Sequence, residues 1–138
     1  MNAEQKLKHH ILMKCPDIVA HLLDNRTELT AESIDEVYDS FRHDDCFSDM
    51  IYESIMEIRG GEVETGLPCD YSRHYESKAV AAKMLDGAWI GWTYWYGGGK
   101  HGEPDAVEWM DYAYLLDCKE EEKLVVVKTF SFPTDSNE

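Results

Sequence analysis

Nine carboxylates between Glu32 and Glu57 have the types and spacing to act on a cation together. Glu32, Asp35, Glu36 and Asp39 recur one helical turn apart, Asp44 and Asp45 follow, and Asp49, Glu53 and Glu57 repeat at every fourth residue. Like charges a turn apart repel by roughly 0.2–0.5 kcal/mol per pair. The pairs 32/36, 35/39, 49/53 and 53/57 together cost about 1–2 kcal/mol. No lysine relieves them: from Glu28 to Asp70 the only bases are Arg42 and Arg59, each placed at a helix C-terminus where the dipole favours it. A chain that carries this repulsion is expected to use the negative face.

Other residues offer chemistry without a supporting pattern. Cys69 with His74 and His101 could supply a thiol and its base; His74, Glu76 and Asp70 could hold a metal or exchange protons. Neither set has a flanking motif, and four cysteines with six histidines generate such pairs by chance. His43-Asp44-Asp45-Cys46 lacks the alternating acids and glycine of a calcium loop and any zinc spacing. Gly97-Gly98-Gly99-Lys100-His101-Gly102 is not a P-loop, because Tyr94 stands where its first glycine belongs and His101 replaces the magnesium-binding hydroxyl. Gly98, Gly99, Lys100 and His101 could still present backbone N–H groups and a cation to an anion. No metal and no cofactor is implied, and the non-enzymatic reading is favoured.

The acids need helices to hold them. Ile34, Val37, Tyr38 and Phe41 form one apolar stripe, and Phe47, Met50, Ile51, Ile55 and Ile58 a second, both at helical spacing. Thr30 is the expected N-cap of the first, and Asp45 or Ser48 of the second. Two shorter helices are expected before them. Residues 2–14 turn Leu7, Ile11 and Leu12 inward; the next opens on Pro16, runs through Asp24 and buries Ile18, Val19, Leu22 and Leu23.

After a linker at 61–70 the period changes to that of strands. Lys78–Leu85, Asp86-Gly87 and Ala88–Tyr96 read as a hairpin with a two-residue turn. That turn pairs Leu85 with Ala88 and Val80 with Thr93, and it puts Trp92 on the face of Ala79 and Ala81. A short helix is expected from Pro104 to Asp111, a strand over Tyr112–Cys118 and another over Lys123–Phe132, with residues 133–138 frayed; over 105–116 a longer helix remains an alternative. The sum is one domain of α+β class, N-terminal helices packed on a four-stranded, mostly antiparallel meander.

Composition restricts the partners. The net charge is −15, of which residues 28–70, with thirteen acids and two bases, carry −11. Nucleic acid and anionic membrane both demand lysine and arginine, so direct binding to either is not expected. A basic protein surface is favoured, and a second copy of the chain is a further candidate. Cys15, Cys46, Cys69 and Cys118 without CxxC spacing, and no signal-peptide pattern, suit reduced thiols and a cytoplasmic location. Trp89, Trp92, Tyr94, Trp95 and Tyr96 would make a base-stacking platform only in a positive groove, which is missing here; packing, with one or two interface anchors, accounts for them better.

Ser33-Ile34-Asp35-Glu36, then Asp44-Asp45, then Phe47-Ser48-Asp49-Met50-Ile51 resemble the acidic helix pair of small phage anti-restriction proteins of the overcome-restriction and ArdA type. The similarity covers about thirty residues. It implies a DNA mimic, located in the host cytoplasm, that blocks a host defence or nucleic-acid enzyme. The chain departs from that pattern in having Cys46 where a Val-Pro connector is expected, and in its β-rich second half. Arg73 to Pro104 is similar to small phage and prophage proteins. Two readings stand: an anti-defence inhibitor working through its acids, or a binder that docks a protein or sequesters a small anion with the aromatic sheet and the 97–102 loop.

Overall fold

A computed structural model describes residues 1–98 and 104–133. Four helices, α1 (Ala3–Met13), α2 (Pro16–Asp24), α3 (Ile34–Arg42) and α4 (Ser48–Ile58), precede β1 (Val63–Glu64), β2 (Glu76–Lys83), β3 (Trp89–Tyr96) and β4 (Tyr114–Leu116). The class is α+β. The four strands form one antiparallel sheet in the order β1-β2-β3-β4.

Helix α1 is the hub, touching the other three helices, β3, β4 and the turn at 110–112. Its start is secured by a capping box: Asn2 accepts from the Gln5 N–H at 2.8 Å, and the Gln5 side chain accepts from the Asn2 N–H at 2.9 Å. Leu7, Ile11 and Leu12 are sealed from water. Proline opens α2 as expected, and Ile18 and Leu22 are buried. Val19 is half-buried and Leu23 is 72% exposed, because α2 is covered on one narrow side only.

The caps of the acidic helices differ from expectation. Thr30 does accept from the Ser33 N–H at 3.2 Å, and Ser33 accepts from the Thr30 N–H at 2.9 Å, but this closes a turn ahead of α3. Before α4 neither Asp45 nor Ser48 caps the helix: Phe47 holds the N-cap position without a side-chain bond, and Asp44 closes the preceding turn. Its Oδ1 takes the Cys46 N–H at 2.7 Å, and its carbonyl takes the Ser48 N–H at 2.9 Å.

The hairpin exists in a register one residue away from the expected one. Lys83 pairs with Trp89, Val80 with Trp92 and Ala79 with Thr93. Leu85, Asp86 and Gly87 form a three-residue loop closed by Met84 and Ala88, with Gly87 at φ +90°. Glycine takes that left-handed conformation without steric cost. A one-residue slip exchanges the faces of a strand, so Trp92 shares the helix-facing side with Val80, Ala82 and Ile90. It is fully buried there and donates its indole N–H to the Arg59 carbonyl at 2.7 Å.

Two further expectations are corrected. The stretch read as linker contains β1, which pairs Val63 with Ala81 and Glu64 with Val80. The strand expected over 123–132 is not in the sheet: residues 117–133 have no regular secondary structure and are exposed throughout. Among the described residues between the hairpin and β4 are the single-turn 3₁₀ helices Pro104–Ala106 and Met110–Tyr112, and β4 spans only three residues of the expected Tyr112–Cys118.

Candidate functional site

The carboxylates of α3 line one side of an open groove of about 660 Å³. Ile34, Tyr38 and Phe41 are drawn into the core, which turns Asp35, Glu36 and Asp39 outward. Facing them across the groove are Asp105, Glu108 and Asp111, and Glu4 of α1 adds a seventh acid. Among the described residues Lys8 and Arg42 are the cations of the lining, which gives that lining a formal charge of −5. Tyr38 and Trp109 are buried beneath, with Ile55, Val107 and Met110 half-buried beside them. An acidic rim over an apolar floor suits a basic side chain, whose alkyl stem is apolar and whose head is charged.

The floor is braced by contacts that cross the fold. Trp109 lies against Trp92 with ring centroids 5.1 Å apart. The Tyr38 hydroxyl reaches Met110 Sδ at 3.8 Å, and burial pushes its pKa up. Tyr52 of α4 donates to Asp105 at 3.1 Å and so anchors the opposite rim. On that rim the Glu108 carboxyl is raised above its usual value by a hydrogen bond with Asp111 and by that neighbour's charge. Carboxylates that crowd in this way gain from an incoming cation.

Not all the expected acids come together. Glu53 and Glu57 line a separate groove of about 320 Å³ beside Lys14 and Cys15, where α4 meets the junction of α1 and α2. Asp49, Glu32 and Asp45 are exposed and line neither groove, while Asp44 closes the turn ahead of α4. Asp35 is held by Lys8 at 3.0 Å, and Asp39 lies 3.4 Å from the His43 ring. The far rim, Asp105, Glu108 and Asp111, was not anticipated. Its signal was nonetheless present: acids repeating every third residue, the period of a 3₁₀ turn.

The remaining candidates fare differently. Gly99, Lys100 and His101 lie outside the described residues. Gly98 has φ +93°, and a Cβ there would sit 2.5 Å from the Tyr75 ring, so the position needs glycine for space as well as backbone. Cys69 is exposed, with its thiol 3.6 Å from Ser77 Oγ. Among the described residues no group of three His, Cys, Asp or Glu could hold a metal. Of the aromatic strand, Trp92 and Trp95 are buried. Tyr94 stacks on Tyr96 at 5.4 Å with Lys78 over both rings and Arg59 over Tyr94, so the chain's own cations occupy that platform.

Compared with known proteins, the chain matches no family model, no curated protein and no solved structure. Among the described residues no helix is long and apolar enough to cross a membrane.

Proposed function

We propose that this chain is a phage-type anti-defence inhibitor whose acidic surface occupies the basic, nucleic-acid-binding cleft of a host enzyme. The observation that carries the reading is the groove with carboxylates on both rims. A single helical stripe offers one acid per turn, about 5.4 Å, against a phosphate about every 3.4 Å along each DNA strand. Two facing rows come nearer to the charge density that a DNA-binding cleft accepts. The summed −15 adds long-range attraction, which speeds encounter and weakens as salt rises. The apolar floor then gives a lysine or arginine of the cleft somewhere to lay its stem.

The test is inhibition of DNA cleavage by restriction enzymes, including a type I enzyme, over a salt series. One full-length variant neutralises the groove (Glu36→Gln, Asp39→Asn, Glu108→Gln and Asp111→Asn), and another neutralises the second groove (Glu53→Gln and Glu57→Gln). The wild type is expected to inhibit, with potency falling as salt rises. The first variant should lose at least about tenfold, equivalent to ~1.4 kcal/mol, and the second much less. Inhibition that ignores both salt and the first set of changes, or the absence of inhibition across the enzymes tried, refutes the reading.

A further inference from the structure

Residues 119–132 follow the sheet as an exposed arm without regular secondary structure, which the groove function does not use. Leu124, Val125, Val126, Val127, Phe130 and Phe132 are each at least 80% exposed. Laid out as a strand, the arm would carry Leu124 and Val126 on one side and Val125 and Val127 on the other, so both sides would be apolar. Strands of that kind are covered on both faces in folded proteins, and exposed apolar patches of this size mark interaction surfaces.

The arm starts beside a matching surface. The sheet face turned away from the helices holds an open groove of about 490 Å³, lined by Val63, Leu67, Ala81, Trp89 and Leu116 and running to the arm's first residues. Val63 and Leu67 are about half exposed. From the arm's root, fourteen residues extended at about 3.3 Å each reach roughly 45 Å, enough to cross a neighbouring molecule's sheet.

We propose that residues 119–132 of one copy lie across the outer sheet face of a second copy, in a reciprocal arm exchange that makes the chain a two-fold dimer. The arm is neutral overall, three lysines balancing three glutamates, so it brings no net charge onto a chain of −15. Area favours this occupant: six side chains at roughly 100 Å² apiece remove about 1,200 Å² across two arms, where specific interfaces begin, before the surface they cover is counted. Because donor and acceptor sit on the same chain, the exchange closes on itself and leaves no free copy of either.

Sedimentation velocity on the full chain tests this, with hydrogen exchange on the arm. Wild type should sediment at twice the chain mass, with the amides of 124–132 protected. Val126→Asp with Phe130→Asp on the arm, and Leu67→Asp in the groove, should each give a monomer with wild-type circular dichroism. Glu36→Gln in the carboxylate-lined groove should leave the dimer intact, which separates this result from the inhibitor reading. A monomeric wild type overturns the exchange, whether its arm is protected (folded back on its own sheet) or unprotected (left for a different protein). A dimer that survives the arm changes overturns it as well, and one lost only with the arm changes overturns the assignment of the groove.

Discussion

Lys8 holds Asp35: its ammonium lies 3.0 Å from the Asp35 carboxylate and 3.2 Å from Glu4, joining α1 to α3 at the edge of the acidic groove. Burial lowers the Lys8 pKa, but the hydrogen bonds to Asp35 and Glu4 outweigh it and leave the group above 10.5. The Lys8 bond in turn holds Asp35 below 3.8. Replacement by Lys8→Ala should cost up to about 1 kcal/mol of stability, the usual worth of an exposed pair. The same change releases two acids into the groove, so affinity for a basic partner should rise. Stability from Asp35 is present above pH 3.8 and lost as pH falls through its lower folded value; urea unfolding across that range should show a shallower acid limb in the variant.

Trp92 ties the sheet to the end of α4. Trp92→Phe keeps a large ring but leaves the Arg59 carbonyl without its 2.7 Å donor, a loss of about 1–3 kcal/mol. Trp92→Ala also opens a cavity and should lose about 3–5 kcal/mol. Denaturant midpoints for the two variants should fall in that order. Equal midpoints for wild type and Trp92→Phe would mean that the indole N–H contributes nothing.

Gly91 leaves room for the side chains of Tyr114 and Leu116 to lie over β3. A Cβ at this position would meet Tyr114 Cε2 at 2.6 Å and Leu116 Cδ1 at 2.7 Å. Gly91→Ala should therefore push the Tyr114 and Leu116 side chains aside and loosen β4, at about 1–3 kcal/mol for overpacking. Hydrogen exchange would report it as faster exchange at 114–116, with the β2–β3 amides still protected.

His10 makes stability fall on mild acidification. Its Nδ1 is buried without a hydrogen-bond partner among the described residues, and burial, aided by Lys14, lowers its pKa from 6.5. Below pH 6.5 the unfolded chain takes up a proton that the folded chain refuses, so this contribution is present above that pH and is lost as pH falls toward the folded value. Unfolding measured between neutral pH and the carboxylate range should have a smaller slope in His10→Leu than in wild type. An unchanged slope would show that His10 titrates normally.

Legibility followed the range of the interactions. The apolar stripes of α3 and α4 were readable because helix periodicity is local, and Pro16 marked the start of α2 for the same reason. Asp86-Gly87 announced a hairpin but not its loop length, and one extra residue moved Trp92 to the other face. Leu124–Phe132 looked like a sheet strand because β-branched residues favour extended chain, whether or not a partner is beside them. Of the groove, the rim formed by Asp35, Glu36 and Asp39 was evident; the facing rim comes from residues some seventy positions later, and no local pattern encodes that approach.

The order of the amino acids alone determined the α+β class, the four helices, the hairpin and the excess of negative charge, all products of near-neighbour spacing and composition. Only the tertiary structure decided which carboxylates share a groove, which face of β3 meets the helices, and that the apolar arm stands uncovered. Those outcomes depend on contacts between distant segments, where a one-residue shift or a missing neighbour reverses what a side chain sees.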